Sequence, residues 1–183
     1  LGSDVVSIAD TIANAGTESA PLQILYHCNF GYPVVSADTK LWLDTEHSEP
    51  RDEAAAPGFG EHTRFQPPTA GYAEQVFYHH PRAGEGGYAV AALVNGALHF
   101  GAYVRFRTAE LPHLVQWKMM GERTYVVGLE PANCWVQGRA HDRQTGALQF
   151  LAPGERVSTH LQIGVLSDQA AIDAMAANWT QAE

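Results

Sequence analysis

The stretch GYAVAALVNGALHFGAYVRFR, residues 87–107, decides the fold. Two runs of small apolar, β-branched and aromatic residues, 87–94 and 97–107, flank Asn95-Gly96. Asn-Gly between such runs is the strongest short-range hairpin signal, because a two-residue type I′ turn needs positive φ at both central positions. Neighbouring strands are therefore expected to pair antiparallel, with a tight turn at 95–96.

Outward from this hairpin the pattern repeats. Residues 4–14 are β-branched and partly alternating, with Val6, Ile8 and Ile12 on one face. Asn14-Ala15-Gly16-Thr17 signals a turn, and residues 20–26 form the next strand. Together they predict a hairpin that lifts His27 to an edge. Further strands are expected at 40–43, 73–79, 114–119, 125–129, 135–139, 146–151 and 157–166, with a turn at Pro153-Gly154. One helix closes the chain: Asp168 can cap it, and Ile172, Met175, Ala176 and Trp179 recur at helical spacing. Short strands broken by Gly, Pro and Asn predict an all-β antiparallel sandwich with a short C-terminal helix, in a single domain over 1–183. Residues 44–72 read as a long loop, a length that usually marks function, and they carry Arg51, Asp52, His62, Arg64 and Phe65.

The chain has 183 residues, 45% of them hydrophobic, enough for one domain with a core. A net charge of −9 excludes the basic stripe that phosphate backbones require, so no nucleic acid partner is expected. With 11 Lys+Arg, anionic membranes are also poor partners. No run reaches the length of a membrane span and no leader pattern opens the sequence, so a cytoplasmic protein is expected. The start, Leu1-Gly2-Ser3, lacks Met and enters a strand almost at once, which predicts a fragment or a processed product. Cys28 and Cys134 have neither CxxC nor zinc-type spacing. They form either a disulfide or two small buried thiols, the latter being the expectation.

Two strand ends carry chemistry. Residues 125–129 deliver Glu130, and Pro131 ends regular ladder pairing because it has no N–H to donate. A carboxylate held at a rigid strand end suits a general base. About a hundred residues upstream, Tyr26-His27-Cys28-Asn29-Phe30-Gly31-Tyr32-Pro33 offers an acid–base imidazole, an amide, and the flat faces of Phe30 and Tyr32. A lone Glu-Pro, or a lone His after a strand, is more often structural; it is the two together that point to acid–base work. Tyr78, Trp117 and Trp135 serve either a core or a stacking surface. The chain holds nine His, but none in HxH or HExxH spacing, and His79-His80 point to opposite faces of a strand, so no metal site is expected. Nucleophile elbow, P-loop and dinucleotide fingerprints are absent, and no cofactor is expected.

These segments resemble those of aldose 1-epimerases (galactose mutarotases). Residues 25–33 resemble the segment whose His is the general acid, and Gly128-Leu129-Glu130-Pro131-Ala132-Asn133 resembles the late segment whose Glu is the general base. Between them, 73–77 is similar to the segment whose acidic residue binds sugar hydroxyls, with Glu74 where the family has Asp. Residues 111–117 and Pro153-Gly154-Glu155 are similar to two further segments, so five occur in the family's order. The wording HCNFGYP and GLEPANC is closest to a branch of that superfamily with no assigned activity. The resemblance implies a supersandwich of roughly twice this length, of which this chain looks like the C-terminal half. The other half, or a second chain, would complete the cleft.

What the resemblance implies is interconversion of the anomers of an aldose or related sugar, with His27 as acid and Glu130 as base. Asn29, Glu74, Gln116 and Asn133 are then expected at sugar hydroxyls, Trp117 as a stacking face, and Arg51, with Arg64 behind it, at an acidic group of the sugar. The rival reading is a carbohydrate-binding sandwich without catalysis; a third is an interaction domain that exposes the 44–72 loop.

Overall fold

The computed structural model describes residues 2–179. The side chain of Trp179, placed by spacing on the last helix, lies outside the described residues, as does Leu1.

Twelve strands and two helices follow in the order β1 (Val5–Ala13), β2 (Ala20–Leu22), β3 (Cys28–Gly31), β4 (Thr39–Leu43), β5 (Thr45–Pro50), β6 (Gln75–Pro81), β7 (Tyr88–Asn95), β8 (Phe100–Arg107), β9 (His113–Met120), β10 (Tyr125–Ala132), α1 (Arg139–Thr145), β11 (Gln149–Leu151), β12 (Arg156–Leu166) and α2 (Gln169–Trp179). They build two five-stranded antiparallel sheets, β1-β12-β8-β7-β4 and β3-β10-β9-β6-β5, and a two-stranded ribbon, β11-β2. Alternation along each strand gives the sandwich its core. Leu41, Leu93, Val104, Phe106 and Leu161 come from the first sheet, and Leu114, Met120, Val127 and Leu129 from the second. Helix α2 lies on the outer side of the first sheet, where Ile172 packs with Ala92, Val94 and Leu166. Asp168 caps it as expected, its Oδ1 accepting from the Ala171 N–H at 2.8 Å. Among the described residues no helix is long and apolar enough to cross a membrane.

Several expectations are corrected. Strands β7 and β8 do pair, but Asn95 sits opposite Phe100, so the turn has four residues rather than two. Asn95 explains this: it is buried, its Oδ1 accepts from the Ala97 and Leu98 amides, and its Nδ2 donates to Pro33 O and Ser36 Oγ. The side chain that would favour a type I′ turn is committed to tertiary bonds. Nor do β1 and β2 form a hairpin. The former pairs with β12 and the latter, only three residues long, with β11. Residues 135–139 are not a strand but lead into α1, anchored by the buried Asp142, which accepts from Gln23 Nε2 at 2.6 Å. Both cysteines are free thiols, Cys28 buried and Cys134 half-buried.

The segment 44–72 is not one loop. It contains the edge strand β5 and a 3₁₀ turn, Ala56–Glu61, and Phe65 from it is buried in the main core. Strand β9 holds it down. Gln116 and Lys118 point to the same side; Gln116 Nε2 donates to His62 O, and Lys118 Nζ to the carbonyls of Glu61 and Arg64 at 3.0 and 2.7 Å. Lys118 is 2% exposed, and burial pushes its ammonium down to about 8. Lys118→Met should strip the Lys118 donor from the Arg64 carbonyl, at about 1–3 kcal/mol if it stays buried, while the Glu61 carbonyl keeps the Arg64 N–H at 3.1 Å. Trypsin should then cut after Arg64 much faster than in the parent, as followed by mass spectrometry; an unchanged cutting rate would show that the lysine is not the latch.

Candidate active site

Residues directly opposite in antiparallel strands share a face. Glu130 of β10 stands opposite Val115 of β9, which stands opposite Tyr78 of β6; two residues along, Gly128 stands opposite Trp117, and Trp117 opposite Val76. Asn29 of β3 also stands opposite Gly128. Glu130, Trp117 and Asn29 therefore share the side of the second sheet that faces away from the main core. A second apolar patch, Val76, Tyr78 and Val115 with Leu25, Trp117 and Trp135 packed on it, forms the floor there.

The sequence places His27 over this floor through one missing donor. Tyr26 N–H donates to Pro131 O at 3.0 Å, but Pro131 cannot return the bond. The Tyr26 carbonyl accepts instead from Cys28 N–H at 3.1 Å, two residues on. That is a γ-turn centred on His27. It brings His27 Nε2 to 2.9 Å from Glu130 Oε1. The imidazole is half-exposed and the carboxylate is buried, its side chain 4% accessible. The ring is not aligned for a proper hydrogen bond, and among the described residues no other group donates to Oε1. Burial pushes Glu130 up to about 7. A carboxyl in that range can take up and return a proton near neutrality.

From this pair a chain of contacts runs across the sheet. The His27 and Trp117 rings meet edge to face, centroids 5.7 Å apart. Trp117 Nε1 donates to Glu74 Oε2 at 2.9 Å. Glu74 Oε1 lies 3.7 Å from Arg51 Nη2, and Arg51 Nε bonds Asp52 at 2.6 Å. The Arg51 guanidinium holds the Asp52 carboxyl below its ordinary range. Thus His27, Glu130, Trp117, Glu74 and Arg51 form one connected cluster, with Asn29 beside it.

Four expected residues are elsewhere. Gln116 faces the opposite side of β9 from Trp117, fully buried, with its Oε1 on His79 Nε2 at 3.1 Å. His79 in turn bonds Ser48 Oγ through Nδ1, and burial keeps it neutral. Strand alternation, not chemistry, removes Gln116 from the site. Asn133 is buried and stitches chain segments: Oδ1 accepts from Ile24 N–H at 2.7 Å, and Nδ2 donates to Leu22 O and Gln149 Oε1. Phe30 packs on the main core, and Arg64 pairs loosely with Glu61 at the surface. Trp135 stacks on Tyr78 at 4.4 Å and on His113 at 3.9 Å, roofing the floor beyond Val115. Burial pushes His113 down to about 4. Among the described residues no His, Cys, Asp or Glu group of three or more is gathered to hold a metal ion.

The residue that sequence reasoning missed is Gly128. A Cβ there would lie 2.4 Å from Glu130 Oε1 and 3.3 Å from both Glu130 Cδ and His27 Cε1. The carboxylate folds back over the bare Cα and reaches His27 across it. A glycine inside a strand is a known signal of such close approach.

The architecture is that of the galactose mutarotase-like β-sandwiches. The chain belongs to the family described as Domain of unknown function (DUF4432), whose profile matches residues 1–165. It is similar to a candidate aldose 1-epimerase from Klebsiella pneumoniae, at 30% identity and TM-score 0.90, covering 94% of this chain and 46% of that one. A galactose mutarotase-like protein from Clostridium acetobutylicum shares the fold at 16% identity and TM-score 0.60, covering 87% and 52%. So does a candidate aldose 1-epimerase from Escherichia coli, at 17% identity and TM-score 0.56, covering 88% and 56%. The chain thus spans about half the length of the structures it matches. No curated protein matches it.

Proposed function

We propose that this chain carries the acid–base centre of an enzyme that interconverts the anomers of an aldose or related sugar. The observation that carries the reading is the 2.9 Å contact between a half-exposed imidazole and a buried carboxylate on the open side of the sheet. Ionised Glu130 takes the proton of the anomeric hydroxyl as protonated His27 gives its proton to the ring oxygen. The bond between C1 and the ring oxygen breaks, leaving an open-chain aldehyde. Rotation about C1–C2 and closure, with both protons returned, yields the other anomer. A carboxylate tuned to about 7 neither holds nor releases its proton too firmly for this exchange at neutral pH.

Asn29, Glu74 and Arg51 take sugar hydroxyls, and Trp117 offers the ring a flat side. Arg51 already answers two carboxylates, so it is a poor anchor for an anionic group. The remaining wall of the cleft comes from the further length of a mutarotase-like chain or from a second chain. Anomer exchange, followed by two-dimensional NMR exchange spectroscopy on a panel of aldoses, uronic acids and sugar phosphates, tests the reading. Acceleration of a neutral aldose, lost in Glu130→Gln, is expected. Saturable sugar binding without acceleration would assign a binding sandwich instead.

A further inference from the structure

We infer that Tyr26 is the positioning residue for His27, and that through it the first sheet, which carries none of the cluster, sets the aim of the catalytic imidazole. The inference rests on the acid–base reading of His27 and deepens it by naming what holds that side chain in place.

His27 does not sit within a regular ladder. It lies between the isolated bridge Leu25–Ala132 and the first residue of β3, at the centre of the γ-turn that Pro131 forces. Such a turn has few bonds to fix its orientation, and half of the imidazole faces solvent. The floor residues give it only one edge contact, with Trp117. Its position must come from its neighbours along the chain. Cys28 on one side is buried in the core and enters β3. Tyr26 on the other side points away from His27, into the space between the sheets, and packs against the main core.

There its hydroxyl makes two bonds to the first sheet: one to Asp10 Oδ2 of β1 at 2.7 Å, the other with Thr159 Oγ1 of β12. Asp10 and Thr159 stand opposite each other in register, so both partners belong to one rigid rung. The carboxylate can only accept, so the phenol gives it its proton and receives the Thr159 hydroxyl proton. Thr159 is buried and holds the hydroxyl against the sheet from its inner side, with the exposed Asp10 beside it. Tyr26 is therefore pinned at three points: its backbone N–H to Pro131, its ring in the core, and its hydroxyl on the far sheet. The Tyr26 carbonyl closes the turn on Cys28 N–H, so a fixed Tyr26 fixes the turn from which His27 leaves the backbone. Shifts near 1 Å at a catalytic group cost on the order of 10²-fold in rate, so a lost anchor is readable.

Tyr26→Phe keeps the ring and removes only the hydroxyl. In the protein with the proposed activity, kcat for the responding sugar should fall about 10- to 100-fold with KM nearly unchanged. The same variant should move the NMR titration midpoint of the His27 imidazole, read against His99 as an internal reference far along the chain. Thr159→Val, which leaves Asp10 as sole partner, should shift both readouts in the same direction by less. If Tyr26→Phe lowers the melting temperature but leaves the His27 midpoint and kcat unchanged, Tyr26 is only a structural tie and the inference falls. If the parent accelerates no sugar, the proposed activity fails, yet the His27 titration still decides: a moved midpoint upholds the positioning role and an unmoved one overturns it.

Discussion

Glu130→Gln should sharply slow anomer exchange and, at pH 8, make the protein more stable. The two effects share a cause. The side chain is 4% accessible and burial raises the carboxyl from 4.5 in the unfolded reference to about 7. A raised carboxyl pKa means that the folded state resists ionisation. Below pH 4.5 the group is protonated in both states and contributes nothing through charge. Between 4.5 and about 7 the unfolded chain ionises first, so stability is lost as pH rises, and above 7 the whole penalty is present. A neutral amide of the same shape removes it. The gain at pH 8 should be about 3 kcal/mol, at about 1.4 kcal/mol per unit, the difference shrinking towards zero at pH 4. Losing the base should lower the exchange rate by roughly 10²–10⁴-fold. Thermal unfolding at both pH values checks the first effect. An equal change at pH 8 and pH 4 would show that the buried charge is not its source.

Gly128→Ala should be nearly as damaging to exchange while leaving the fold intact. A methyl 2.4 Å from Oε1 cannot coexist with the carboxylate where it lies. What yields is the end of the Glu130 side chain rather than backbone, so the strand stays paired and Glu130 swings away from His27. The exchange rate should fall on the order of 10²-fold, because the base is displaced rather than removed. The melting temperature should change little, since alanine suits a strand better than glycine and the buried charge is relieved. Circular dichroism and exchange rates measured together decide. A variant that retains the parent rate would mean that the carboxylate need not occupy this position.

Much of the fold was legible because long strands announce themselves: β1, β7, β8, β9 and β12 lie close to where alternation and β-branched runs put them. The hairpin at 87–107 gave the right pairing and the wrong turn, since nothing local reveals that Asn95 is bonded to Pro33 and Ser36. Helix α1, seven residues long, is stabilised by Asp142 reaching Gln23, a contact 119 residues apart that no window contains. The pairing of His27 with Glu130 was read from two strand ends and sharpened by motif resemblance, and the structure adds the γ-turn that achieves it. Gln116 was misplaced because sequence gives alternation but not which parity faces the floor. That parity was recoverable only from the register with Glu130. Gly128 could have been found earlier, as a glycine two residues before a carboxylate in an otherwise bulky strand.

Strand β9 separates two kinds of mutational outcome by parity alone. Its even positions, Leu114, Gln116, Lys118 and Met120, are buried on the core side, while Val115 and Trp117 serve the side of Glu130. Variation at 114, 116, 118 and 120 should therefore be filtered by expression and protease resistance, and variation at 117 by turnover. Substitutions at one register should change the chemistry of the Glu130 face and those at the other the stability of the fold, on adjacent codons, with little interference between them.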